Sequence, residues 1–168
     1  NRYPIACLTI HPRVQKQFYK GTVYRDWFAW AAERSRNPLC YNGDLVTVED
    51  CGAFEADFPA IDAVMIGRGA VADPALFRKL RGGTPATRRE IQTFTRTLYQ
   101  SYQEFYGQVG PAAQRMKEVW FFLIHLFEGG ERHHKRMRRL RTPAEYEAVE
   151  AAIFQELPLR DHAEGAFG

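Results

Sequence analysis

Three groups of polar and glycine residues each stand directly after a short apolar run. His11 and Arg13 follow residues 5–10, Asn42-Gly43-Asp44 follows residues 38–41, and Gly67-Arg68 follows residues 63–66. Arginine donates charge-assisted hydrogen bonds to anions, and glycine lets a backbone approach a ligand closely. Taken together, these residue types indicate a binding site for a phosphorylated ligand. Taken singly, each group could equally be an ordinary turn with solvated side chains.

Helical patterns separate the three apolar runs. Trp27, Trp30 and Arg34 recur at helical spacing after the first run, and Thr47 with Asp50 three residues later indicates a helix start after the second. Asp73-Pro74 predicts another helix start after the third. This alternation predicts an α/β fold with parallel strands and crossover helices. The carboxyl ends of such strands meet at one edge, so the three polar groups should share one rim.

The predicted strands are nearly continuously apolar, which predicts burial on both faces. Either a doubly wound sheet or a β/α barrel would bury them so. Three strands cannot close a barrel, which needs about eight. We therefore expect a fragment of a longer chain or a partner that completes the fold. The start at Asn1, without an initiator Met or an apolar leader, also reads like an interior position.

The composition changes near residues 81–85, after which helical periodicity dominates. Two apolar faces, one basic stretch and residues 143–154 predict four helices in a small antiparallel bundle. The first apolar face comprises Ile91, Phe94, Leu98, Tyr102 and Phe105, and the second comprises Met116, Val119, Trp120, Leu123 and Phe127. We place the division between an α/β part, residues 1–84, and a helical part, residues 85–168.

Bulk properties narrow the class of protein. The 168 residues are 45% hydrophobic, and no apolar run approaches the length of a membrane span. Cys7, Cys40 and Cys51 form no metal-binding spacing, so we expect no metal and predict three buried, reduced thiols in a cytoplasmic protein.

The net charge of +3 is small, yet basic residues crowd between Arg132 and Arg141. This stretch is either a solvated helix face or a surface that contacts nucleic-acid phosphates. The residues for which we predict phosphate contact are Lys135, Arg136, Arg138 and Arg139.

The motifs at the strand ends and on the helices, taken in their order along the chain, resemble those of the tRNA-dihydrouridine synthases. The resembling segments are Leu8-Thr9-Ile10-His11-x-Arg13, Tyr19-Lys20-Gly21 with Asp26-Trp27, Asn42-Gly43-Asp44 with Glu49-Asp50, Val64-Met65-Ile66-Gly67-Arg68-Gly69-Ala70 with Pro74 and Phe77, and Arg115-Met116-Lys117 ahead of Trp120. The segment from Val64 to Ala70 is the most specific of them.

The resemblance implies the C-terminal portion of a (β/α)8 barrel that holds FMN, followed by an all-helical domain that binds tRNA. NADPH would be the reductant. The substrate would be a uracil that is extruded from the tRNA. By position, the FMN-binding residues would be His11, Asn42, Gly43, Asp44, Gly67 and Arg68. Arg13 would join the basic helix in contacting tRNA.

Some features depart from the family's pattern. The family's catalytic cysteine and flavin-contacting lysine lie on earlier strands, which this chain lacks. Cys7, Cys40 and Cys51 lie at other positions, so we assign none of them a catalytic role. Pro12 stands where a small residue is usual, and Gln15 where an arginine is common. Two alternatives stay open: another FMN-binding barrel oxidoreductase that acts on a small molecule, and a non-catalytic RNA- or partner-binding remnant.

Overall fold

The computed structural model describes residues 1–17 and 21–164. The chain divides into two compact units, Asn1–Gly69 and Ala70–Gly165. The segment Tyr19-Lys20, part of one motif above, lies outside the described residues. The predicted division at residues 84 and 85 concerns the domains of a complete protein, and it stays a prediction.

The first unit contains a three-stranded parallel sheet. Its strands are β1 (Leu8–Ile10), β2 (Leu39–Tyr41) and β3 (Ala63–Val64), in the order β1-β2-β3. Thr9 pairs with Cys40, and Cys40 pairs with Ala63. The prediction of three parallel strands is confirmed, although each strand is shorter than its apolar run.

Two crossover helices connect these strands: α1 (Arg25–Arg34) and α2 (Val48–Asp57). The predicted start of α2 is confirmed, because the Thr47 side chain accepts from the Asp50 amide while the Asp50 carboxylate accepts from the Thr47 amide. Phe28 of α1 and Phe54 of α2 both pack on Tyr41 of β2, with ring centroids 4.9 and 4.2 Å away. These three buried rings fix both helices against the middle strand.

Beyond β3, the described residues up to 164 are mostly helical. The helices are α3 (Arg68–Ala72), α4 (Leu76–Leu80), α5 (Arg88–Tyr106), α6 (Val109–Leu123), α7 (Glu131–Arg139) and α8 (Pro143–Glu156). A 3-10 turn, Ile124–Leu126, extends α6. Within the described part of the second unit the only β-type pairing is an isolated antiparallel bridge between Phe127 and Leu159. The arrangement of these helices as an antiparallel bundle stays a prediction.

A cluster of aromatic residues lies within the core of the second unit. Trp120 is fully buried, and its ring lies 5.8 Å from Phe127 and 5.7 Å from Phe154. Its indole N–H donates to the Tyr146 hydroxyl, which donates in turn to Glu150. Burial raises the pKa of the Glu150 carboxyl above its ordinary value. Trp120 and Phe127 are therefore core residues, as the apolar pattern of α6 predicts.

Several predictions about individual residues are wrong. Phe105 belongs to the predicted apolar face of α5 but is 80% exposed, whereas the buried residues of that helix are Ile91, Thr95 and Tyr99. Cys7 is exposed, whereas Cys40 and Cys51 are buried as predicted. The helix predicted at Asp73-Pro74 begins later, at Leu76, because Asp73 forms a turn in which its carboxylate accepts from the Ala75 amide.

Among the described residues no helix is both long and apolar enough to cross a membrane.

Candidate functional site

Backbone and amide hydrogen bonds join the three strand ends of the first unit. The Asn42 amide N–H donates to the Ile10 carbonyl at 3.0 Å, and the Met65 N–H donates to the Tyr41 carbonyl at 2.8 Å. The Asn42 side chain then donates to the Met65 carbonyl at 2.7 Å. The loops after β1, β2 and β3 therefore meet at one rim, as the parallel topology predicts.

His11 stands on this rim with its ring tied to the β2 loop. Its Nδ1 atom lies 2.5 Å from the Asn42 carbonyl oxygen. A carbonyl oxygen only accepts, so Nδ1 must carry the proton. When the ring is neutral, Nε2 is then an acceptor, and His11 is exposed, so Nε2 is available to a ligand.

Asp44 lies between two arginines. Its Oδ2 atom is 2.5 Å from Nη2 of Arg13, and its Oδ1 atom is 2.6 Å from Nη2 of Arg68. Arg13 also donates to the Gly21 carbonyl at 3.0 Å. The Asp44 backbone is left-handed, with φ of 46°, a conformation that aspartate tolerates better than most residues. We call this group, Arg13, Asp44 and Arg68, the arginine fork.

A small cavity of about 120 Å³ opens beside the arginine fork. The residues that line it are Asn42, Asp44, Leu45, Val46, Met65, Gly67 and Arg68. Leu45, Val46 and Met65 were not predicted as site residues. Leu45 and Val46 follow the Asn42-Gly43-Asp44 motif, and Met65 lies within the segment from Val64 to Ala70.

The rim glycines serve different purposes. A Cβ atom on Gly69 would lie 2.8 Å from the Val46 Cα, and one on Gly43 would lie 2.7 Å from the Tyr41 hydroxyl, so packing requires both glycines. A Cβ on Gly67 would meet nothing within 4 Å. Neither the fold nor a positive φ requires glycine there, and its missing side chain leaves open space next to Arg68.

The chemistry of this rim suits a phosphate group. Two guanidinium groups and one carboxylate give it a net charge of +1. Arg68 retains 18% side-chain exposure, whereas Arg13 retains 2%. Arg68 is thus the arginine that can donate to a ligand, and the open space at Gly67 lets an anion approach the backbone.

The predicted RNA-contacting residues fall in both units. Arg13 lies in the first unit, within the arginine fork, while Lys135, Arg136, Arg138 and Arg139 lie on α7 in the second unit and are exposed. His133 and Met137 are the buried residues of α7. Lys135 and Arg139 are four residues apart and face away from that buried side. Burial lowers the pKa of His134, and the nearby His125 and Arg138 lower it further, so His134 adds no positive charge to α7 at neutral pH.

Comparison with known families agrees with these motifs. The sequence model of the family described as "Dihydrouridine synthase (Dus)" matches residues 4–158 of this chain. The match includes every strand of the sheet, the whole rim and helix α7. The chain belongs to the dihydrouridine synthase family.

Individual relatives carry related names. A tRNA-dihydrouridine(16) synthase of Cupriavidus necator is 31% identical over 155 residues, which cover 86% of this chain and 46% of that protein. A tRNA-dihydrouridine synthase B of Shewanella oneidensis is 28% identical over 161 residues, which cover 91% of this chain and 49% of that protein. A tRNA-dihydrouridine(16) synthase of Ralstonia nicotianae is 40% identical over 77 residues, which cover 46% of this chain and 23% of that protein. The chain spans no more than about half the length of these relatives.

Proposed function

We propose that this chain is part of an enzyme that reduces uridine to 5,6-dihydrouridine in tRNA, with FMN as cofactor and NADPH as reductant. The observation that carries the proposal is the family match over residues 4–158, a range that contains the arginine fork. FMN, when bound, would accept hydride from NADPH and pass hydride to the uracil ring.

The rim would hold the phosphate of FMN. Arg68 would donate to the phosphate oxygens from beside Gly67, whose backbone N–H would donate as well. Asn42 would keep the loops after β2 and β3 at a fixed separation through its bond to Met65. His11, with its proton on Nδ1, would offer Nε2 to the cofactor.

Helix α7 would bind the tRNA backbone. Four exposed cations stand on a helix whose opposite side is buried, so they would meet phosphates without disturbing the core. Each phosphate contact would release counterions and make binding depend on salt. Arg13 is held inside the arginine fork, so any contact of Arg13 with tRNA would require a change in the rim.

The complete protein would also supply the rest of a β/α barrel. The first unit leaves apolar residues exposed beside its sheet, among them Leu8 at 39% and Met65 at 50%. Trp27 and Trp30 of α1 are exposed at 66% and 54%. Neighbouring strands and helices of a barrel would cover such surfaces, which otherwise favour aggregation.

The experiment is an assay of dihydrouridine formation. The complete protein, loaded with FMN and given NADPH and unmodified tRNA, should form dihydrouridine. The isolated 168 residues should form none, since the family's catalytic cysteine lies on earlier strands. A complete protein that binds FMN and oxidises NADPH but leaves tRNA unchanged would contradict the proposal and favour a small-molecule substrate. Dihydrouridine made by the isolated chain would contradict the assignment of catalysis to another part of the protein.

A further inference from the structure

The two oxygens of the Asp44 carboxylate are both engaged by arginine. Oδ2 accepts from Arg13 and Oδ1 accepts from Arg68, at 2.5 and 2.6 Å. A carboxylate has no proton to donate at neutral pH, and a phosphate dianion is likewise an acceptor. Asp44 therefore cannot donate to the phosphate of a ligand, and its negative charge would repel that phosphate.

We infer that Asp44 and Arg13 are positioning residues that hold the Arg68 guanidinium ready for the FMN phosphate. This assignment rests on the proposed FMN site and differs from a role for Asp44 as an FMN ligand or for Arg13 as a tRNA ligand. Arg13 is 2% exposed at its side chain, so it acts through Asp44. Arg68 is the more exposed arginine and borders the cavity.

Backbone structure fixes the carboxylate in this place. Asp44 adopts φ of 46° immediately after Gly43, which packs under the Tyr41 hydroxyl, and the Gly21 carbonyl fixes the other partner, Arg13. Arg68 is thereby attached to a rigid acceptor and need not be ordered when the ligand binds. Ordering a long side chain opposes binding, so an arginine fixed in advance binds an anion more tightly than a mobile one.

Charge alone makes the opposite prediction. Replacing Asp44 by asparagine removes one negative charge, so the fork changes from a net +1 to a net +2. If the fork acted only as a charge, this variant would bind a phosphate more tightly. If Asp44 positions Arg68, the same variant binds a phosphate less tightly. The sign of the change therefore separates the two mechanisms.

The test is a fluorescence titration of the complete protein, stripped of flavin, with FMN and with riboflavin, which lacks the phosphate. Asp44→Asn should weaken FMN binding by about tenfold and leave riboflavin affinity within about twofold, since the missing interaction acts on the phosphate. Arg13→Gln should show the same pattern, although Arg13 is not among the residues that line the cavity. Unchanged riboflavin binding also shows that each variant is folded. Asp57→Asn is the matched control, because Asp57 pairs with Arg25 at 2.8 Å on the surface of the same unit.

The alternative results are distinct. Equal or tighter FMN binding by Asp44→Asn would overturn the positioning role, and an equal loss of riboflavin affinity would make Asp44 a direct ligand of the flavin or ribityl part. In an Arg68→Ala background, Asp44→Asn should have no further effect on FMN, because no guanidinium is left to position. A further loss of about tenfold there would also overturn the inference. If Arg68→Ala by itself leaves FMN affinity unchanged, the proposed phosphate site fails, independently of Asp44.

Discussion

Arg78 of α4 holds Glu90 of α5 by two hydrogen bonds. Nη1 of Arg78 lies 2.6 Å from Oε1 of Glu90, and Nη2 lies 3.3 Å from Oε2. The same guanidinium donates to the carbonyls of Thr84 and Pro85, in the segment that connects the two helices. Glu90 also caps the first turn of α5 by accepting from the Thr87 amide. This pair therefore ties α4 and the connecting segment to the first turn of α5.

The stability of the protein should depend on pH through Glu90. Its hydrogen bonds from Arg78, and then from Thr87, lower the pKa of Glu90 from 4.5 to about 2. A lowered folded-state pKa means that the stabilisation is present above pH 4.5 and is lost as the pH falls towards 2. We predict that Glu90→Gln is less stable than the parent protein at pH 7, and that urea unfolding shows this difference shrinking between about pH 5 and pH 3. Glu104→Gln, on the same helix, is the control, and a difference for Glu90→Gln that stays constant over this range would contradict the prediction.

Two glycines of the rim should respond differently to alanine. At Gly69 the new Cβ would lie 2.8 Å from the Val46 Cα and 2.9 Å from the Leu45 carbonyl oxygen, so Gly69→Ala should destabilise the protein by about 1–3 kcal/mol. At Gly67 it meets nothing, so Gly67→Ala should change the free energy of unfolding by less than about 0.5 kcal/mol. Gly67→Ala should instead weaken FMN binding, because its methyl group enters the space offered to the phosphate. Equal stabilities in denaturant unfolding, or full FMN affinity for Gly67→Ala, would count against this description of the rim.

The four exposed cations of α7 should control the salt dependence of tRNA binding. Replacing Lys135, Arg136, Arg138 and Arg139 by glutamine should lower the slope of log K against log salt by roughly 0.7 to 0.9 for each RNA phosphate that is no longer neutralised. Because these side chains spread around a helix, two or three of them can reach one RNA backbone together. Bound FMN should be unchanged. The control is Arg89→Gln with Arg96→Gln, two exposed positions on α5. If the α7 variant and the parent protein give the same slope, α7 is only a solvated face.

Local sequence patterns were sufficient for the three strands and for the start of α2. The Thr47 and Asp50 pair marks the start of α2 because a capping box is made within four residues. The apolar runs mark the three strands, and parallel pairing follows from the helices between them. Phe105 could not be placed by the same reasoning. Helical periodicity identifies a possible apolar face, but contacts with other helices, such as that of Tyr99 with Tyr146 of α8, decide which part of that face is buried.

The arginine fork could not be inferred from the sequence. Arg13 and Asp44 are 31 positions apart, and Asp44 and Arg68 are 24 apart. Their meeting depends on the left-handed backbone at Asp44 and on the helical turn that begins at Arg68, neither of which leaves a pattern in the residues around it. The motifs predicted that these residues share a rim, but not that Asp44 accepts from both arginines.

The most direct test of the central claim is the FMN affinity of the complete protein with and without the Arg68 side chain. Removing a charge-assisted donor to a phosphate should weaken FMN binding by about tenfold or more in Arg68→Ala, while riboflavin binding stays the same. Arg36→Ala, an exposed arginine of the same unit, is the control for removal of one positive charge. Unchanged FMN affinity in Arg68→Ala would contradict the account, because the phosphate would then be held elsewhere.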